Sequence, residues 1–127
     1  MNILIDTHIL LWALYSSNKL SQNTKDLLTN DDYIKYISLT SIWEIEIKHS
    51  LGKLEYEACE VLKDAEEAGY KVLSIKKEHI FELGKLEYIH NDPFDRLLIC
   101  QAKSENMNFI TNDSKIKQYN KDFVIMN

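Results

Sequence analysis

The stretch HNDPFDRLLICQA, residues 90–102, sets Asp92 and Asp95 on either side of the only proline in the chain, directly ahead of an apolar run. Two further acids follow apolar segments closely: Asp6 ends NILID, and Asp113 stands one residue beyond NFIT. Glu44 lies within SIWEIEIK, in the first turn or two of a helical pattern. Carboxylates are hard oxygen donors, so a group of them gathered in one place suits Mg²⁺ or Mn²⁺, ions that keep positions open for substrate phosphates. Each acid also has an ordinary structural use. Asp92 as N-cap, Pro93 as first helical residue and Asp95 two positions later spell a helix start. Ser41 and Glu44 fit the S-x-x-E capping box, and Asp6 and Asp113 fit turn acids after strands.

What decides between these uses is where the elements bring the acids. Short apolar runs at 2–5, 33–38, 71–75, 108–111 and 122–126 read as strands. Between them, helical spacing predicts helices over 8–15, 21–29 behind a Ser21 cap, 39 to a stop at Gly52, 56–68 ending at Gly69, 77–86, and 93–105. Strands alternating with helices give repeated βα units, hence an α/β fold with a mostly parallel, roughly five-stranded sheet covered by helices on both faces. Ligands of such sheets bind beyond the carboxyl ends of the strands, where the helices also begin. That edge collects Asp6, Asp113, Asp92, Asp95 and Glu44. Their mutual repulsion there calls for a cation.

The remaining candidates carry less. Thr7, Ser41 and Thr111 could hold a water or a phosphate oxygen near the rim, and each also suits a cap or turn. Arg96, the only arginine, sits in the first turn of its helix, where a cation is unfavourable to the dipole, so a neighbouring acid or a phosphate should compensate it. Lys48 and Lys53 suit the negative end of theirs. The four histidines lack zinc-site spacing and read as surface or cap residues, while Trp12 and Trp43 read as core.

With 127 residues, 45% of them hydrophobic and 28% charged, the chain reads as one packed domain over 1–127, without repeats or linkers. A net charge of -5 argues against a protein that holds nucleic acid through a large basic surface. Two cysteines are too few for a disulfide framework, and both Cys59 and Cys100 read as buried or half-buried thiols. The apolar N-terminus is broken by Asp6 and His8 and lacks a basic leader, and nothing approaches the roughly 18 apolar residues of a membrane span. The expected setting is the cytoplasm.

In order and spacing, ILIDTHILLWAL, SLTSIWEIEIKHSLGKL, NDPFDRLLICQA and FITND resemble the motifs of PIN-domain nucleases, most closely the VapC-type toxin ribonucleases of toxin–antitoxin pairs. The resemblance spans essentially the whole chain. It implies an α/β/α sandwich with Asp6, Glu44, Asp95 and Asp113 as the catalytic and metal-binding quartet and Asp92 as an accessory acid. It further implies Mg²⁺- or Mn²⁺-dependent hydrolysis of RNA, a homodimer and a silencing antitoxin. Other readings are a PIN-like nuclease of RNA processing or structured DNA, or a PIN-like binding module without chemistry, which predicts a missing acid. A haloacid-dehalogenase-like phosphatase would want an acid where His8 stands. A receiver domain would want one at the end of the third strand, which here reads Ser-Ile-Lys-Lys.

Overall fold

The computed structural model describes all of residues 1–127. Its strands are β1 (Asn2–Ile5), β2 (Ile34–Ser38), β3 (Lys71–Leu73), β4 (Asn108–Thr111) and β5 (Val124–Met126). Its helices are α1 (Thr7–Tyr15), α2 (Gln22–Thr29), α3 (Leu39–Ser50), α4 (Ala58–Glu67), α5 (Lys77–Leu83), α6 (Pro93–Ser104) and α7 (Ser114–Lys117). The strands lie in the order β3-β2-β1-β4-β5, and every neighbouring pair is parallel.

Alternation along the central strand assigns the two helical layers. Ile3 and Ile5 face Ile9 and Leu10 of α1, Ile45 of α3 and Val61 of α4. Leu4 faces the other way, toward Leu98 and Ile99 of α6 and Ile116 of α7, in company with Phe109 of β4. Successive side chains of a strand point to opposite faces, so this apolar run must be covered twice. The result is the α/β/α sandwich expected from the sequence.

Register brings the strand ends level. Leu4 pairs with Tyr36 and with Phe109, so Asp6, Ser38 and Thr111 all fall at the carboxyl edge. The Asp6 amide donates to the Ile110 carbonyl at 2.9 Å and holds that level. Helix α6 is tied to the same edge from within. Buried Gln101 accepts hydrogen bonds from the hydroxyls of Ser38 and Thr40, at the start of α3.

Several expectations are corrected. Helix α3 is capped by Ser38, whose side chain accepts from the Thr40 amide, so the Ser41–Glu44 box does not form. Strand β2 runs into α3 without a loop residue, which leaves Ser41 and Glu44 already inside the helix. Strands β3 and β5 are shorter than their apolar runs, since each edge strand has one ladder partner only. Ser17–Lys19 form a 3₁₀ turn and Ser114–Lys117 a one-turn helix, both too short to leave a periodic pattern. Trp43 is half exposed, with its ring edge-on to Phe94 at 4.9 Å, and Cys59 is exposed. No helix is long and apolar enough to cross a membrane.

Candidate active site

Three acids reach the carboxyl edge as helix caps, so the dipole logic and the convergence are one arrangement. Asp6 caps α1, Asp92 caps α6 and Asp113 caps α7. Asp92 Oδ1 accepts the amides of Phe94 and Asp95 at 2.9 and 3.0 Å, which leaves Asp95 in the first turn of α6, behind Pro93. Glu44 stands a turn and a half into α3, buried beside α1.

The threonines and Ser41 hold these acids in place. Thr111 Oγ1 donates to Asp6 Oδ2 at 2.5 Å and accepts the Asp113 amide at 3.1 Å, so one hydroxyl links two of the carboxylate positions. The Thr7 hydroxyl donates to Glu44 Oε1 at 2.6 Å and lies 2.9 Å from Ser41 Oγ. Lys48 Nζ pairs with the other Glu44 oxygen at 2.6 Å, one helical turn on, rather than with the helix end. Thr7, Ser41 and Thr111 are all buried. Each hydroxyl is engaged in hydrogen bonds within the protein.

Two residues have partners that the sequence did not suggest. His90 Nε2 lies 3.1 Å from Asp95 Oδ2, and its Nδ1 lies 2.7 Å from the Tyr119 hydroxyl. Arg96 is compensated neither by an acid nor at the rim. Its guanidinium donates to the Glu87 carbonyl at 2.8 Å and to Tyr119 Oη at 3.0 Å, under the Tyr88 ring. His79 is buried as well, on Gln101 and the Lys76 amide. His79 thus has the expected cap role at the start of α5, although it is buried, whereas His90 is neither a cap nor a surface residue.

Electrostatics single out Asp95. Burial, followed by the charges of Asp6, Asp92, Asp113 and Glu44, pushes its carboxyl up to about 9. A helix N-terminus favours an ionised acid by about 0.3–1 kcal/mol, less than one pKa unit, so the dipole cannot offset this. Burial likewise pushes Asp6 up to about 6, against the Thr111 hydroxyl, His8 and the Thr7 amide, with Glu44 adding to the rise. The closest grouping of potential ligand atoms is that of His90, Asp95 and Asp113, all within 4.8 Å of one another. Asp6 and Glu44 lie outside it and act on Asp95 through charge. Acids crowded enough to resist ionising, with oxygen donors predominating, fit a hard divalent cation.

An open cleft of about 240 Å³ borders this edge, lined by Asp6, His8, Trp12, Asn112 and Asp113. A larger one of about 650 Å³, lined by Leu14, Leu20, Leu28, Tyr33 and Tyr70 among others, opens at the amino ends of β2 and β3. Size would favour the second, but only the first is lined by carboxylates of the sheet edge, Asp6 and Asp113.

A parallel five-stranded sheet with acids on its carboxyl rim defines a class of fold, and the family follows from the sequence. The PIN domain model matches residues 3–122, and the chain belongs to the PIN-domain family. Solved structures agree with the fold. VapBC2 from Rickettsia felis, bound to a DNA fragment of its promoter, superposes with a TM-score of 0.70 at 18% identity, over 100% of this chain and 98% of that one. VapBC-1 from nontypeable Haemophilus influenzae gives 0.67 at 20% identity over 100% and 97%. A domain of a Methanocaldococcus jannaschii protein gives 0.59 at 18% over 99% and 89%. No curated protein sequence gives a significant match.

Proposed function

We propose that this chain is a Mg²⁺- or Mn²⁺-dependent endoribonuclease and the toxin of a toxin–antitoxin pair. The observation that carries the reading is the convergence of Asp6, Glu44, Asp95 and Asp113 on one sheet edge, where Asp95 and Asp6 are driven above the ordinary carboxylate range. Membership of the PIN family and the likeness to chains of VapBC complexes support it.

Asp95, Asp113 and Asp6 would hold the cation, and Glu44 would complete its surroundings or orient a water. When bound, such an ion lowers the pKa of a water and screens charge on a phosphodiester in its transition state. The chain's own part is preorganisation. Thr111 keeps Asp6 and the Asp113 backbone in register, Thr7 and Lys48 fix both oxygens of Glu44, and the buried run of α6 anchors Asp95. No covalent protein nucleophile is required, in keeping with the absence of a Ser or Cys beside a His in any catalytic motif.

In this reading the protein works in the cytoplasm as a homodimer, and an antitoxin silences it by filling the acidic cleft, with a basic side chain as the natural complement. Expression of the chain alone should arrest growth, the Asp95→Asn variant should not, and a small protein encoded alongside should rescue. Sequencing of cellular RNA after brief induction should find new 5′ ends at defined sites. Normal growth at verified soluble expression would count against the toxin role.

A further inference from the structure

We propose that His90 is a positioning residue of the acidic site: a one-way hydrogen-bond chain from Arg96 through Tyr119 fixes its imidazole with the proton on Nε2, directed at Asp95 Oδ2. The inference rests on the metal-dependent reading of that site.

The direction of the chain follows from donor and acceptor capacity. Arginine has donors only, so at 3.0 Å from Arg96 Nη1 the Tyr119 oxygen must accept. It accepts a second time, at 3.4 Å, from the His90 amide. Its single proton is left for His90 Nδ1, 2.7 Å away. A neutral imidazole has one nitrogen that accepts and one that donates. With Nδ1 accepting, Nε2 carries the proton and donates to Asp95 Oδ2 at 3.1 Å.

The start of the chain is enclosed. Arg96 and Tyr119 are buried, and the guanidinium is held further by the carbonyls of Glu87 and Leu86. The rings of His90 and Tyr119 meet edge-on, 5.3 Å between centroids. At the far end Asp95 Oδ1 makes no hydrogen bond within the protein, so the chain pins one oxygen and leaves the other for a cation. Proximity alone would make His90 a ligand beside Asp95 and Asp113. The tautomer argues otherwise, because an Nε2 that donates to Asp95 has no lone pair to offer. Partners that orient a ligating side chain typically contribute 10–100-fold in metal affinity.

Titration of the purified full-length protein with Mn²⁺ by calorimetry, joined to ¹⁵N NMR of the histidine rings at mildly alkaline pH, tests this. His90→Ala should weaken Mn²⁺ binding by about 10–100-fold with the fold intact by circular dichroism. His90→Gln, whose amide nitrogen can restore a donor, should recover much of the loss. The wild-type His90 ring should carry its proton on Nε2 and keep it when Mg²⁺ is added, and Tyr119→Phe should mix the tautomers. Unchanged affinity in His90→Ala, a proton on Nδ1, or loss of the Nε2 proton to Mg²⁺ would overturn the inference. A wild-type protein that binds no Mn²⁺ would overturn the metal-dependent reading as well, so the two failures are distinguishable.

Discussion

Asp95 is read by sequence as a helix-start acid, and it is one, yet its surroundings oppose the charge that a helix start favours. The sign of its effect on stability separates the two roles. An acid whose folded pKa is raised binds its proton more tightly in the native state, so stability is fully present below the unfolded value and is lost as pH rises toward the folded one. For Asp95 that window runs from the ordinary value of about 4 to about 9, and for Asp6 to about 6. Without divalent metal, Asp95→Asn should therefore be more stable than wild type, by a margin that widens as pH rises from 4 toward 9 and vanishes below it. Urea melts in EDTA at several pH values check this. A variant less stable by a constant amount at every pH would mark a plain cap residue. The acids were legible at this scale because residues at strand ends and helix starts can be located from local pattern. His90 was not, since its partner Tyr119 lies 29 residues away and the loop that carries it, between α5 and α6, follows no period. The partners of Arg96 are hidden for the same reason: its acceptors are backbone carbonyls of that loop and the distant Tyr119 hydroxyl.

At the scale of elements, α6 both holds Asp95 and fastens the site to the sheet. Its N-terminus depends on Asp92, which satisfies two backbone amides. Asp92→Ala should cost about 1 kcal/mol of unfolding free energy, as loss of a good cap does, while the cluster on Asp95 loses one of its repelling charges. Leu98 is completely buried against Leu4, and Leu98→Ala should cost about 2–5 kcal/mol, measured by denaturant melts. Much of this architecture could be read in advance. Strands β1 and β4 and helix α6 have apolar runs that only a doubly covered sheet explains. The start of α3 at Leu39 follows from its apolar spacing, but two serines three residues apart both fit its cap, and only the pairing of β2 with β1 and β3 selects Ser38. The edge strands ended early because ladder partners, not composition, set their length.

At the scale of the whole molecule, a net charge of -5 gathers part of its excess at a rim that the fold must keep closed against repulsion. A ligand that binds the native state alone stabilises it by mass action, about 2.7 kcal/mol when present at 100 times its Kd. Mg²⁺ or Mn²⁺ should accordingly raise the melting temperature of the wild type, more at pH 8 than at pH 5, since protons compete for Asp95 and Asp6. The Asp95→Asn variant should show little of that rise. Equal shifts in both proteins would place the ion elsewhere. Whether these carboxylates form one metal-dependent nuclease centre is decided by incubating purified protein with cellular RNA. Wild type in Mg²⁺ should cleave, and EDTA, Asp6→Asn or Asp95→Asn should each abolish cleavage while circular dichroism shows a retained fold. Full cleavage in EDTA or in either variant would rule out such a centre.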